Sequence, residues 1–504
     1  MALVEVTSDA SSGQSEAIAR AKGGIVRHVT RVVLVGILVG LSLSALPAVG
    51  QEAKDKPALE QLLDLLFQRG QINQEQYKAL QDKAQQEGAV QVGFDRGRPF
   101  MQTKDGNFRF DLGGRFQLDF DSAEVGARQL TGPHLGDQWL VRRARLEVNA
   151  QFYKWIDFKL EADFTDSQPL RDVYLDFKLV PEYFRFRAGQ FKVPFSLEEL
   201  TSDLWIDFVE RSLLNQIAPS YDRGLMGYGS VGQGAVSYFL GGFNGTGQNT
   251  ADNNADKDIA FRLVLAPWKP SDNFWLKGFQ VAGDVTWGNQ STLSTPQGQT
   301  LARTPNRFTY FAAQPAQGDR LRYGVDLAWL IGPGALKFEY DWQTNQRKGL
   351  GPGGTDLPKV WDKGWYVSAT YLVTGEEKRF NALVHPTYPF SPIVGQWGPG
   401  AWELAMRYTQ QKFASDGPVN FYNGKLTDVP GGGTTAAQGV QDFTAGVNWY
   451  PNAWIKVMLN SETYWYNNTL GTPWSCPNTC PTSSNLRSSH DMSWELLSRL
   501  QFAW

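Results

Sequence analysis

The stretch Phe108-Arg109-Phe110-Asp111-Leu112-Gly113-Gly114-Arg115-Phe116-Gln117-Leu118-Asp119-Phe120 decides the fold. Phe108, Phe110, Leu112, Gly114, Phe116, Leu118 and Phe120 alternate with Arg109, Asp111, Gly113, Arg115, Gln117 and Asp119. A period of two places the first set on one face of an extended strand and the second on the other. The alternation runs well past the usual strand of about six residues. It fits a tilted membrane strand, apolar towards lipid and polar towards a lumen.

The same pattern recurs downstream. Leu140-Arg142-Ala144-Leu146-Val148-Ala150-Phe152 face one way and Arg143-Arg145-Glu147-Asn149-Gln151 the other. Further alternating pieces begin at Ile156, Val173, Phe184, Gly224, Ala235, Ile259, Phe279, Tyr323, Leu336, Trp365, Trp402, Phe443, Ile455 and Trp494. Together they make 16, and even numbers are the rule for bacterial barrels. A soluble core would not bury a row such as Lys159, Glu161 and Asp163, whereas a wet lumen accepts it. Trp139, Trp155, Trp268, Trp365, Trp402, Trp449 and Trp454 stand at strand ends, where a membrane interface gathers Trp. The expected fold is all-β: a 16-stranded antiparallel transmembrane β-barrel over 108–504, with a short N-terminal helical hairpin. Short turns alternate with long loops, and residues 374–401 break that rule. Either an extra strand pair lies there, making 18, or it is a structured insertion on the short-turn side.

Composition agrees. The chain has 504 residues with 48 Lys+Arg against 51 Asp+Glu, a near-neutral balance that gives no reason to expect a nucleic-acid partner. Aromatics at 13% and 51 Gly suit half-exposed strands. Only 2 Cys and 4 His argue against a disulfide scaffold or a metal site, and no cofactor is expected. Cys476 and Cys480 share a long loop, and in an oxidising compartment a local disulfide is the default. Basic residues, then an uncharged apolar run Val32–Leu46, then Ala48-Val49-Gly50 read as an export signal over 1–50. The run is too short to span a bilayer. Residues 57–87 read as a helical hairpin, either a periplasmic coiled-coil stub or a small capping pair. Gly88–Gly106 reads as a linker, so 51–107 form the prelude.

On these residues the chain resembles the phosphate-selective porin O and P family. The resemblance rests on Gly114-Arg115-Phe116-Gln117-Leu118, Arg142-Arg143-Ala144-Arg145-Leu146, Gly189–Ser196 with Glu210-Arg211-Ser212-Leu213, Thr374-Gly375-Glu376, Gly400–Leu404 and Asn448-Trp449-Tyr450. It implies a homotrimeric barrel in the bacterial outer membrane, conducting small hydrophilic solutes, with an external loop folded into each pore. Residues 196–223 are the candidate for that loop. Ser196 and Glu199 form a capping box, and Leu200, Leu204, Trp205 and Phe208 give the helix it would start an apolar side.

Alternation nominates Arg109, Arg115, Arg143, Arg145, Lys159, Arg185, Arg187, Arg262, Lys337 and Arg407 as pore-lining cations. Arg143 and Arg145 with Arg185 and Arg187 would form a basic ladder if registers agree. Cations would favour phosphate or other anions. Against this, the loop carries Glu198, Glu199, Asp203, Asp207 and Glu210 beside only Arg211, and many wall carboxylates point inward. Solute preference therefore stays open. Two other readings remain: a barrel that tethers the envelope through 57–87, and a secreted carbohydrate-active enzyme using paired carboxylates. Gly227-Tyr228-Gly229-Ser230-Val231-Gly232 matches a dinucleotide fingerprint only in letters, since another strand follows it rather than a helix.

Overall fold

The computed structural model describes residues 58–86, 90–95, 97–123, 137–291, 299–305, 309–417, 419–422, 425–428, 438–468 and 490–504. The export-signal reading of 1–50 and the Cys476–Cys480 pair lie outside them. Residues 1–87 and 88–504 are separate units. In the first, α1 (Ala58–Gln68) and α2 (Gln74–Gln86) form the expected hairpin. Leu63 is buried, and the Phe67 and Tyr77 rings meet at 5.0 Å.

The second unit is the barrel. Its strands are β1 (Phe108–Ala123), β2 (Gln138–Phe152), β3 (Ile156–Asp163), β4 (Leu170–Val180), β5 (Phe184–Lys192), β6 (Tyr221–Val231), β7 (Val236–Phe243) and β8 (Asp258–Leu265). They continue as β9 (Phe279–Gln290), β10 (Gly318–Ile331), β11 (Gly334–Arg347), β12 (Leu357–Leu372), β13 (Ala401–Ser415), β14 (Gln438–Tyr450), β15 (Ile455–Asn468) and β16 (His490–Ala503). Each pairs antiparallel with the next, and β16 returns to β1 from Glu495↔Ala123 to Ala503↔Arg115, which closes the ring at 16 strands. Closure pairs β1 with β16 from Arg115 to Ala123, so no strand of the ring is left as an open edge of the whole sheet.

Burial is inverted relative to a soluble protein. Leu146, Leu175, Leu225, Leu240, Val325, Leu404 and Leu500 are exposed, while Arg145, Glu161, Asp326, Glu403, Arg407 and Arg499 are buried. This is the alternation read in the sequence: apolar outward, charged inward. A small aromatic core also lies within the ring, where Tyr310 and Phe311 of the external loop after β9 pack on Phe413, Tyr464 and Tyr466.

Two expectations change, and one that stood open is decided. Gly88–Gly106 is no linker: Val90–Asp95 and Arg98–Thr103 form a hairpin whose second strand pairs with β1 through Phe100↔Asp111, Met101↔Phe110 and Gln102↔Arg109. It pairs with the part of β1 that lies beyond the last β16 pair, Ala503↔Arg115. Of the two readings of 374–401 the structured insertion holds: the segment adds no barrel strands before Ala401, only the two-residue pair Phe390–Ser391 and Gln396–Trp397. The inward loop holds a single helical turn, α3 (Leu197–Leu200), and a 3₁₀ turn at Leu213–Gln216.

Candidate functional site

Residues 193–220 leave β5, cross the lumen and return to β6. Ser196 starts the crossing with φ 68°, its N–H donating to Asp284 Oδ2 at 3.0 Å. Its Oγ accepts from the Glu199 N–H at 3.1 Å, the N-cap half of the expected box. The helix ends at Leu200 because the wall recruits the next polar groups individually. Leu204, Ile206, Phe208 and Val209 are buried without forming a helical stripe.

One side of the loop is pinned to β9–β16. The Glu198 N–H donates to Glu339 Oε2 at 3.2 Å, and Arg407 Nη1 donates to Glu210 O at 3.0 Å. Asp207 lies between Lys337 and Lys378, each at 2.6 Å. Lys456 donates to Ile206 O at 2.7 Å and Asn448 to Asp207 O at 2.8 Å. Asn460 Oδ1 accepts from the Val209 N–H at 2.5 Å, and Arg499 Nη2 lies 2.9 Å from Glu210. Val209, Met458 and Leu497 close the seam with an apolar contact.

The other side is open. A cavity of about 540 Å³ lies between the loop and β1–β7. Its lining holds ten cations, Arg98, Arg115, Arg142, Arg143, Arg145, Lys159, Arg171, Arg187, Lys192 and Arg211. Among the described residues, five carboxylates face them: Glu147, Glu161, Asp172, Glu199 and Asp203. Asp203 sits at the centre, paired with Arg115, 2.6 Å from Arg143 and 3.1 Å from Arg145. Arg145 also meets Glu161 and Asp163, both at 2.8 Å, and Lys159 meets Asp172 at 2.9 Å. Burial would raise the Asp203 carboxyl, but Arg115, Arg145 and Arg143 outweigh it and hold the group well below the usual range. Burial acts the same way on Glu199, and Lys192 and Arg211 bring it down to about 2.

The nominated residues therefore separate. Arg115, Arg143, Arg145, Lys159 and Arg187 line the cavity. Arg187 stacks on Tyr174 at 4.0 Å. Arg109 pairs with Asp95 at 2.7 Å and Asp111 at 2.8 Å, outside the cavity lining. Arg185 pairs with Asp157 at 2.7 Å. Arg262 is held between Asp284 at 2.7 Å and Asp326 at 2.6 Å, within the opposite wall. Lys337 and Arg407 anchor the loop. The proposed ladder is not continuous, because β3 and β4 separate β2 from β5.

Arg142 escaped the alternation rule. The register runs Gln117↔Arg143 and then Leu118↔Val141, so one extra residue sits in a bulge at Arg142. Its side chain reaches Glu210, Nε to Oε1 at 2.6 Å. An arginine assigned to a lipid face was itself the warning, since such a position is costly. Arg98 was missed with its hairpin. The loop's acids are also spent: Glu198 on Arg407 and the Ser212 N–H, Glu199 on Lys192, Asp203 on the arginines, Asp207 on two lysines and Glu210 on Arg142 and Arg499.

The phosphate-selective porin O and P family matches residues 110–468. The chain belongs to this family. Porin O of Pseudomonas aeruginosa is 25% identical over 406 residues, covering 74% of this chain and 86% of that protein. Among solved structures, OmpT of Vibrio cholerae aligns at TM-score 0.47 and 9% identity, over 79% of this chain and 98% of that one. The anion-selective porin from Comamonas acidovorans aligns at 0.46 and 10%, over 79% and 100%. With its closed barrel and charged interior, this porin of the bacterial outer membrane is a water-filled channel for passive passage of small hydrophilic solutes. The tether and glycosidase readings give way to it.

Proposed function

We propose that the cavity beside the inward loop is the selective segment of the channel and that it favours small oxyanions, phosphate among them, over cations. The observation that carries this reading is the two-to-one excess of cations over carboxylates in the lining. A permeating ion sheds part of its water in a narrow passage. Guanidinium groups replace that water with charge-assisted, bidentate hydrogen bonds, which suit tetrahedral oxyanions better than halides. Arg142, with its side chain 39% exposed, and Arg98, at 32%, mark the wet ends. Arg115, Arg143 and Arg145 are nearly buried between them. Asp203 keeps this middle stretch from becoming a trap, because it offsets part of the charge that would hold an anion too long. No bond is made or broken in the process.

In this reading residues 1–50 are removed on export and three barrels assemble in the outer-membrane lipid, each with its own pore. Planar-bilayer recording of the purified protein tests it. Conductance in steps of three, a reversal potential on the anion side in a KCl gradient, and block by added phosphate are expected. An ohmic channel with a cation-sided reversal potential and no phosphate block overturns it.

A further inference from the structure

The insertion between β12 and β13 is longer than a short-turn connection requires, and its two halves do different things. The first half turns inward. Lys378 reaches Asp207 and Glu403, and Val384 packs on Leu372, Ala401 and Tyr450. The second half turns outward. The Phe390 N–H donates to Pro451 O at 2.7 Å, and the Phe390 ring lies 5.8 Å from Trp449. Trp449 stacks on Trp402 at 5.6 Å, and both indole N–H groups donate to Pro399 O, at 2.9 and 3.1 Å. Trp402 follows the outward alternation of β13 and is exposed, as is Leu404. The pair Phe390–Ser391 and Gln396–Trp397 is thus fastened to the outside of the wall at the short-turn rim.

What it presents there is apolar. Ile393 is fully exposed, and Val394, Trp397 and Tyr388 are each about 70% exposed or close to it. Residues 386–402 contain no Asp, Glu, Lys or Arg, in a chain where charged residues make up 20%. The backbone is also prepared for low dielectric. Pro389, Pro392 and Pro399 carry no N–H, while the Gly395, Gly398 and Gly400 N–H groups donate to Pro392 O, Pro389 O and Tyr388 O at 2.9–3.0 Å. Tyr388 and Trp397 flanking two bare aliphatic residues match side chains that dip an apolar end into a lipid interface.

We propose that residues 386–402 form a lipid-dipping finger, with Ile393 and Val394 inserted among acyl chains of the inner leaflet beside β13 and β14. The continuous aromatic run from Trp402 through Trp449 to Phe390 and Trp397 argues for lipid as the occupant, because it extends the girdle that already marks the interface. By fastening one end of the insertion in the bilayer, the finger fixes the other end, where Lys378 grips the inward loop.

Spin labels at I393C and V394C test this in the full-length protein, in a C476S/C480S background, reconstituted into vesicles of phosphatidylethanolamine and phosphatidylglycerol. Accessibility to oxygen and to a water-soluble nickel chelate is compared with L404C on the lipid-facing wall and D272C in an exposed turn. Oxygen access with nickel exclusion, as at 404, is expected. Nickel access comparable to 272 places the tip in water and overturns the proposal. Exclusion of both reagents means that a protein surface, such as a second copy of the chain, covers the tip, which also overturns it.

Discussion

Arg145 on β2 and Arg262 on β8 occupy equivalent places in the alternation, yet the two walls use them differently. Arg262 is enclosed by Asp284 and Asp326, with Arg262 and both acids almost fully buried, and serves as a clamp between strands. Arg145 also has carboxylate partners, but one of them, Asp203, belongs to the loop, and the group borders open space. Inward-facing charge is thus necessary for a pore residue but not sufficient. What separates the two is whether the counter-charge comes from the neighbouring strands alone, leaving no free volume, or from a loop that leaves a cavity beside it.

The largest effect expected from this contrast is on stability. R262Q leaves Asp284 and Asp326 facing each other in the wall with no cation between them, and breaking a buried pair in this way costs about 3–5 kcal/mol. Urea unfolding of the barrel, followed by tryptophan fluorescence, measures it. Reversal potential should stay close to wild type in whatever fraction folds. A shift in selectivity without loss of stability would erase the distinction between the walls.

R143Q/R145Q is the converse. Each charge contributes about 0.7 kcal/mol to an anion roughly 6 Å away in a water-like medium, so losing two lowers anion preference about tenfold. Reversal potentials in a salt gradient read this directly. Glu161 and Asp163 retain Arg115 and Arg171 nearby, so the barrel itself should tolerate the change better than it tolerates R262Q.

Acid separates the loop from the wall. Glu199 and Asp203 have ordinary values of 4.5 and 3.8, and both are depressed in the folded loop. A depressed carboxyl contributes stability that is full above its unfolded value and is lost as pH falls through its folded value. Loop anchoring should therefore be constant from pH 8 to 5 and weaken below about 4, towards 2. Open-channel current noise across that range tests it, and an onset between pH 7 and 5 would assign the anchoring to other groups.

Much of this is legible in the amino-acid sequence alone. Alternation from Phe108 onward gave the barrel and its closure number, because a wall one residue thick must show its period in the sequence; the inward loop came from the family resemblance rather than from the period. Individual roles were less legible, for identifiable reasons. The bulge at Arg142 shifts the face by one residue, and nothing local marks it except the anomaly of its charge. Only half of the capping box at Ser196 formed, since the Ser196 N–H goes to Asp284 rather than to Glu199. The helix after it yields to Asp203 and Asp207, whose partners lie far away in sequence. The hairpin at 90–103 hid behind Gly and charge, although Val90, Val92 and Phe94 alternate there too. Pairing of cations with carboxylates is a tertiary property, so the acidic loop read as an obstacle to anions when its charge is largely neutralised by the wall.

The smallest expected effect sharpens the boundary of the site. Arg185 shares the alternation of Arg187 and stands two residues from it, but pairs with Asp157 and Asp176 and is absent from the cavity lining. Its side chain is 28% exposed, and an exposed pair of this kind contributes about 0.2–1 kcal/mol. R185Q, outside the cavity lining, should change anion preference less than R187Q, which removes a guanidinium stacked on Tyr174 inside it. Equal shifts in reversal potential from the two variants would mean that long-range field, rather than contact with the cavity, sets selectivity. The ten-to-five lining would then matter only through its sum.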